Sequence, residues 1–231
     1  MARLTLTPQL EHLRASVEAA RATLEPEAIH QARVASRRLR VFLTLGGVHV
    51  LRDDLRWLAR ALSRLRDLDV AMAERFGGDF GRWLTAQHEV ARRAATDVLQ
   101  HPRLDGVLRA LSFVGPVPKR LALERRSLLV DAVETAWIDL RKASRAGALE
   151  ALHRVRRRAR SARYASEWLG AEPGPFRRLQ EAAGAACDVM ALGALVREYE
   201  AATNRASPTG LQLDAVVVAR FVPALLEAGV G

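Results

Sequence analysis

Ile29 to Phe42 reads IHQARVASRRLRVF and Leu152 to Ala165 reads LHRVRRRARSARYA, and both segments set histidine and arginine on one spacing. His30 pairs with His153, Arg33 with Arg156, Arg37 with Arg160 and Arg40 with Arg163, each displaced by 123 residues. Within a copy these residues fall at i, i+3, i+7 and i+10, which at about 100° per helical residue confines them to one stripe. The chemistry of such a stripe is anion recognition. A guanidinium is a planar fork that donates two parallel hydrogen bonds to an oxyanion, and an imidazole adds a further donor, stronger once protonated. A ladder of these groups matches a chain of phosphates, which carries about one negative charge per unit. Arg38 flanks the first stripe, Arg157 the second, and Tyr164 and Glu167 lie at about 20° and 320° from His153.

The surroundings sharpen this reading. No acidic residue occurs between Ile29 and Leu51 or between Ala151 and Ser166, so the usual i,i+4 carboxylate partners of surface arginines are missing locally. Like charges about 7 Å apart repel by roughly 0.6 kcal/mol per pair in water, and by more where water is displaced. Neither histidine has a second His, Cys or carboxylate at ligand spacing on its own helix, and the cations around it oppose a divalent ion, so no metal site is expected. A second repeated element follows each stripe: LSRLRDLDV, Leu62 to Val70, aligns with AGAACDVMA, Ala183 to Ala191, matching Asp67 to Asp188. These aspartates, with Arg66, read as supporting residues that orient the stripe or tie neighbouring helices to it.

Helices must carry all of this. Thr7 and Pro8 open a first helix that ends near Leu24, Pro26 opens a second that stops at Gly46 and Gly47, and a third runs from about Val48 to Phe76. On that third helix Arg52, Arg56, Arg60 and Arg64 step by four. A fourth covers about Phe80 to Gln100. Pro102, Gly106, Gly115, Pro116 and Pro118 then interrupt the pattern and mark a boundary between halves at about 1–105 and 116–231. The second half repeats the plan with helices at Arg120 to Ser144, Ala148 to Leu169, Pro175 to Ala202 and Leu211 to Ala228. The expected fold class is all-α, with four helices packed in each half.

Composition fits a folded protein with a polyanionic partner. Of 231 residues, 49% are hydrophobic and 27% charged, and the net charge is +10. Lysine occurs only at Lys119 and Lys142, so nearly all of the positive charge is arginine. Aromatic residues make up only 5%, too few for the base-stacking platforms of single-stranded nucleic-acid binders. Cys187 is alone, which excludes an internal disulfide, and the first residues lack the apolar run of a signal peptide. A cytoplasmic protein with no membrane partner is the expectation; its oligomeric state is not legible.

The residues quoted above resemble the CHAD family, the conserved histidine α-helical domain. Its HxxRVxxRRLR signature is matched by His30, Arg33, Val34, Arg37, Arg38, Leu39 and Arg40. Its LGxxRDxDV element is matched by Leu62, Arg66, Asp67, Asp69 and Val70, with Ser63 in place of glycine. Its LHxLRxxxKxxRYxxE pattern is matched by Leu152, His153, Arg156, Arg160 for lysine, Arg163, Tyr164 and Glu167. The resemblance spans almost the whole chain. It implies two pseudo-twofold-related four-helix bundles whose basic helices face a central groove or pore, non-catalytic binding of inorganic polyphosphate, no cofactor, and association with polyphosphate granules. The two halves depart from one another where Cys187 and Met190 stand for Arg66 and Asp69, and where Thr44 stands for Glu167.

Two other classes compete. A general binder of phosphate-rich polyanions or nucleic acid draws on the same charge, but no zinc-finger, RRM or KH signature is present. A polyphosphatase or kinase needs carboxylates for magnesium beside the phosphates, and the stripes carry none apart from Glu167.

Overall fold

The computed structural model describes residues 2–205, apart from the side chains of residues 145, 146 and 185. The order of elements is β1 (Arg3–Leu4), α1 (Thr7–Thr23), α2 (Pro26–Gly46), α3 (Arg52–Ala61), α4 (Ser63–Ala73), α5 (Gly78–Leu99), α6 (Pro102–Leu111), β2 (Val117–Pro118), α7 (Lys119–Lys142), α8 (Arg145–Leu169) and α9 (Gly174–Thr203). The fold is all-α with one two-stranded ladder, antiparallel, pairing Arg3 with Pro118 and Leu4 with Val117. The chain divides into two compact units, Met1–Leu123 and Glu124–Gly231.

That division falls later than the expected 106–115. The β1–β2 pairing, extended by the Lys119 N–H donating to the Ala2 carbonyl at 3.1 Å, fastens the segment after α6 to the N-terminus of the first unit. The Pro- and Gly-containing stretch itself holds a helix that composition obscured. His101 caps α6, its Nδ1 accepting the Arg103 N–H at 3.1 Å, Pro102 sits in the first turn, and Leu104, Val107, Leu108 and Leu111 are buried. Four helices per half is therefore too simple for the first unit. The expected helix at Leu211 to Ala228 lies outside the described residues.

The third expected helix, Val48 to Phe76, is two helices with a break at Leu62. Ser63 Oγ donates back to the Ala59 carbonyl at 2.9 Å, a bond that draws a helix out of line, and the Arg66 N–H reaches the Leu62 carbonyl only at 3.4 Å. The start slips to Arg52 because Leu51 adopts φ 68° ahead of it, and the end falls at Ala73 with Arg75 at φ 53° beyond.

In the first unit α2 packs against α1, α3, α4 and β2. Ile29, Ala32, Ala35, Leu39, Phe42, Leu43 and Leu45 are fully buried, and Val41 nearly so. Burial thus reaches further round the helix than a single apolar face, since neighbours approach from several sides. In the second unit α8 lies in a core with α7 and α9, built from Val133, Ala136 and Leu140, from Leu152, Val155, Ala159 and Ala162, and from Phe176, Leu179, Ala183 and Ala186. Part of α9 is long and apolar enough to cross a bilayer, with a mean hydropathy of 1.3, and 41% of that stretch is buried in the unit, where α9 packs on α8.

The repeat survives as structure. Ile29 and Leu152, Ala32 and Val155, Leu39 and Ala162, Phe42 and Ala165, and Leu43 and Ser166 are equivalent pairs at zero exposure. Both helices also end on a left-handed glycine, Gly47 at φ 70° and Gly170 at φ 67°. The copies diverge at Ala35, which is buried while its counterpart Arg158 is exposed.

A side chain at the left-handed cap costs about 1 kcal/mol even where space is open, as it is around Gly170. Gly170→Ala is expected to lower the melting temperature by about 2–4 °C. Thermal denaturation followed by circular dichroism checks this, and an unchanged or raised value would show that the cap does not fix the end of α8.

Candidate polyanion-binding site

Each unit carries its own cluster. In the first, His30, Arg33, Arg37 and Arg40 follow one another along α2, and the packing of α3 and α4 adds Arg66 beside His30 and Arg52, Arg56 and Arg60 beside Arg40. This is not the solvated face that a run of surface arginines normally forms. Arg33 is only 8% exposed and the other stripe residues, with Arg38, are half-buried.

Neutral groups take part in holding these cations. Arg33 Nη2 donates to Ser63 Oγ at 3.1 Å, and that hydroxyl in turn donates to the Ala59 carbonyl. Ser63 stands where the resembled pattern has glycine, and its use shows only where α4 packs on α2. Asp67 is half-buried on α4. Arg40 has no carboxylate bonded to it among the described residues: Thr44, at the place of Glu167 in the other copy, uses its hydroxyl on the Arg40 carbonyl at 3.0 Å. Burial, then Arg56, Arg52 and Arg60, push the Arg40 guanidinium below its ordinary pKa, with Asp53 opposing weakly.

In the second unit α8 presents His153, Arg156, Arg160 and Arg163, with Arg157 exposed at the side and within 3.6 Å of Glu150. Gly184 takes the place of Ser63, so Arg156 has no hydroxyl to meet there. Cys187 fills the region instead, its Sγ 3.9 Å from His153 Nδ1 and near Arg156 and Arg160. Burial, the largest influence, pushes the Cys187 thiol up, so it stays neutral among the cations.

Arg163 Nε lies 3.4 Å from Glu167, and its guanidinium sits 4.9 Å from the centre of the Tyr164 ring. Tyr164 corrects an expectation. It is 3% exposed, at the position of buried Val41 in the first copy, so its ring supports Arg163 from inside and does not stand at the rim of the stripe. Asp188 corrects another: it is exposed, with no hydrogen bond or ion pair among the described residues, and orients no stripe arginine.

Other arginines do ordinary structural work, which sets the stripes apart. Arg21 bonds Glu18 at 2.8 Å, Asp105 at 2.7 Å and the Leu99 carbonyl at 2.8 Å, joining α1 to α5 and α6. Arg103 grips Asp54 through Nε and Nη2 at 2.9 and 2.7 Å. Among the described residues no three His, Cys, Asp or Glu side chains converge on a metal-sized site.

With this geometry in view, comparison with known proteins gives a family. The chain matches the CHAD domain over residues 4–197. It belongs to the CHAD family. Among solved structures it is similar to the CHAD domain from the plant Ricinus communis, at 20% identity and a TM-score of 0.76, covering 96% of this chain and 88% of that one. It is also similar to PptA from Streptomyces chartreusis, at 18% identity and a TM-score of 0.68, covering 96% and 94%. At these identities the likeness establishes the fold. No curated protein matches the sequence.

Within this CHAD domain both stripe histidines are held below their usual pKa of 6.5. For His30 burial comes first, then Arg66, Arg33 and Arg37, against Glu27; for His153 burial comes first, then Arg157, Arg156 and Arg160, against Glu150. A lowered folded-state pKa means that the unfolded chain binds more protons below about 6.5, so these histidines stabilise the fold above that pH and lose that contribution as pH falls through it. Denaturation between pH 7.5 and 5.5 is expected to show a shallower loss of stability in His30→Gln with His153→Gln than in wild type. Identical pH slopes would place the two imidazoles outside the field of the arginines.

Proposed function

We propose that this CHAD protein binds inorganic polyphosphate without transforming it, through His30, Arg33, Arg37, Arg38 and Arg40 in the first unit and His153, Arg156, Arg157, Arg160 and Arg163 in the second. The observation that carries the reading is Arg40: a half-buried cation on α2 with no bonded carboxylate among the described residues, its charge opposed by Arg52, Arg56 and Arg60 of the helix packed on it. A cluster of that kind is stabilised by a multivalent anion. Polyphosphate supplies oxygens at close, regular intervals, and each guanidinium can take them in a charge-assisted pair. The family resemblance implies the same ligand.

The site offers little for catalysis. Phosphoryl transfer requires carboxylates to hold magnesium beside the reacting phosphate, and the nearest one on the second stripe, Glu167, lies against Arg163. No cofactor enters the reading, nor does a membrane partner. A cytoplasmic protein gathered onto polyphosphate granules is the setting it describes.

Binding should weaken steeply with salt, because each neutralised phosphate releases counterions. Replacing one arginine in each stripe, Arg37→Ala with Arg160→Ala, is expected to cut affinity for long-chain polyphosphate by at least about tenfold, or about 1.4 kcal/mol. Fluorescence-detected titration at fixed ionic strength, with duplex DNA of matched charge as competitor, makes the comparison. A loss confined to polyphosphate supports dedicated sites. Equal, small losses on both ligands would show a diffuse basic surface and a general polyanion binder.

A further inference from the structure

Arg52, Arg56 and Arg60 step by four along α3, and none of the three family motifs includes them. They differ in what they do. Arg52 is engaged, donating to His49 Nδ1 at 3.1 Å. Arg60 is exposed and makes no hydrogen bond or ion pair among the described residues. Among the described residues Arg56 pairs only with Asp53, at 2.8 Å, and that carboxylate is 82% exposed, so water screens the pair and it contributes little. Arg56 and Arg60 lie one turn apart and line an open depression of about 480 Å³ with Asp53, Trp57 and Ala61. Its wall is stiff: Trp57 lies under the Arg103 guanidinium at 4.6 Å and edge-on to His101 at 5.8 Å.

The helix that lines this depression, α3, packs on the stripe helix α2, and Arg40, the last cation of the stripe, has Arg56 and Arg60 among its close charged neighbours. The second unit has no such row. Residues displaced by 121 from Arg52, Arg56, Arg60 and Arg64 are Pro173, Arg177, Glu181 and Ala185, of which only one is basic and one is acidic.

We propose that the first unit's anion track continues from α2 onto α3, with Arg40 as the junction and Arg56 and Arg60 holding phosphates beyond it. The first unit then takes a longer run of the chain than the second. This rests on the polyphosphate reading above and adds to it a basis for chain-length preference. From His30 to Arg40 the α2 row rises about 15 Å, and from Arg56 to Arg60 the α3 pair adds about 6 Å. Tripolyphosphate is shorter than the first row alone, whereas a long chain can occupy both. Asp53 turns from partner of Arg56 to neighbour of the ligand, a small loss at so exposed a carboxylate.

The test compares wild type, Arg56→Ala with Arg60→Ala, and a control that removes two exposed cations of the second unit, Arg177→Ala with Arg178→Ala. Affinities are measured for tripolyphosphate and for long-chain polyphosphate over a series of salt concentrations. The α3 variant is expected to bind tripolyphosphate within about twofold of wild type while losing roughly fivefold to tenfold on the long chain. Its log–log salt slope for the long chain should be shallower by about 1–2, and the control should match wild type. An unchanged long-chain affinity and slope, or equal losses on both ligands, would overturn the extension while wild-type binding still stood. Failure of wild type to bind either polyphosphate would instead remove the reading on which it rests.

Discussion

Mutual repulsion among half-buried guanidinium groups is the constraint around which the described structure is arranged. Arg33, Arg37 and Arg40 stand along one side of α2, and α3 and α4 bring further arginines to them. In water such neighbours cost a few tenths of a kcal/mol per pair, and partial burial raises that cost. The chain tolerates it because α2 and α8 are anchored by fully buried apolar residues at equivalent positions and closed by glycine caps of the same hand. Packing holds the helices, and the helices hold the charges together.

The partners chosen for these charges explain why the cluster stays available. A carboxylate would satisfy an arginine strongly and occupy its fork. Here Arg163 meets a tyrosine face with a glutamate at longer range, Arg156 lies near a neutral thiol, and Arg40 has no bonded carboxylate among the described residues. Such contacts orient the side chains at modest cost and leave the positive potential largely intact. Burial first, and then the same field, holds the pKa of His30 and His153 below its usual value. Where the units differ, the difference is of this kind: Ser63 against Gly184, and Thr44 against Glu167.

Much of this was legible in the chain. The spacing of His30, Arg33, Arg37 and Arg40, its recurrence from His153, and the glycines after each stripe located the two helices and the face they present. The all-α class followed from periodicity and lies within the family's fold. What escaped depended on tertiary neighbours. Arg33 is buried because α4 brings Ser63 over it, and no property of α2 alone signals that. Tyr164 sits at an angle shared with Val41, and only packing decides that this angle faces inward. The break at Leu62 arises from one serine bonding back to Ala59, which the unbroken leucine pattern conceals. Helix α6 was hidden by its proline and glycine and by the prolines that follow it, although Pro102 in a first turn followed by Leu104, Val107, Leu108 and Leu111 is itself a helical signal.

The account's central claim is that the stripe holds unfavourable charge that a polyphosphate chain relieves. Equilibrium denaturation of wild type and Arg40→Met at low salt, with and without long-chain polyphosphate, tests it directly, since ligand at about a hundred times its Kd stabilises the folded state by about 2.7 kcal/mol. The account predicts that the variant is at least as stable as wild type alone and gains less from polyphosphate. A variant that is weaker alone yet gains as much from the ligand would contradict it.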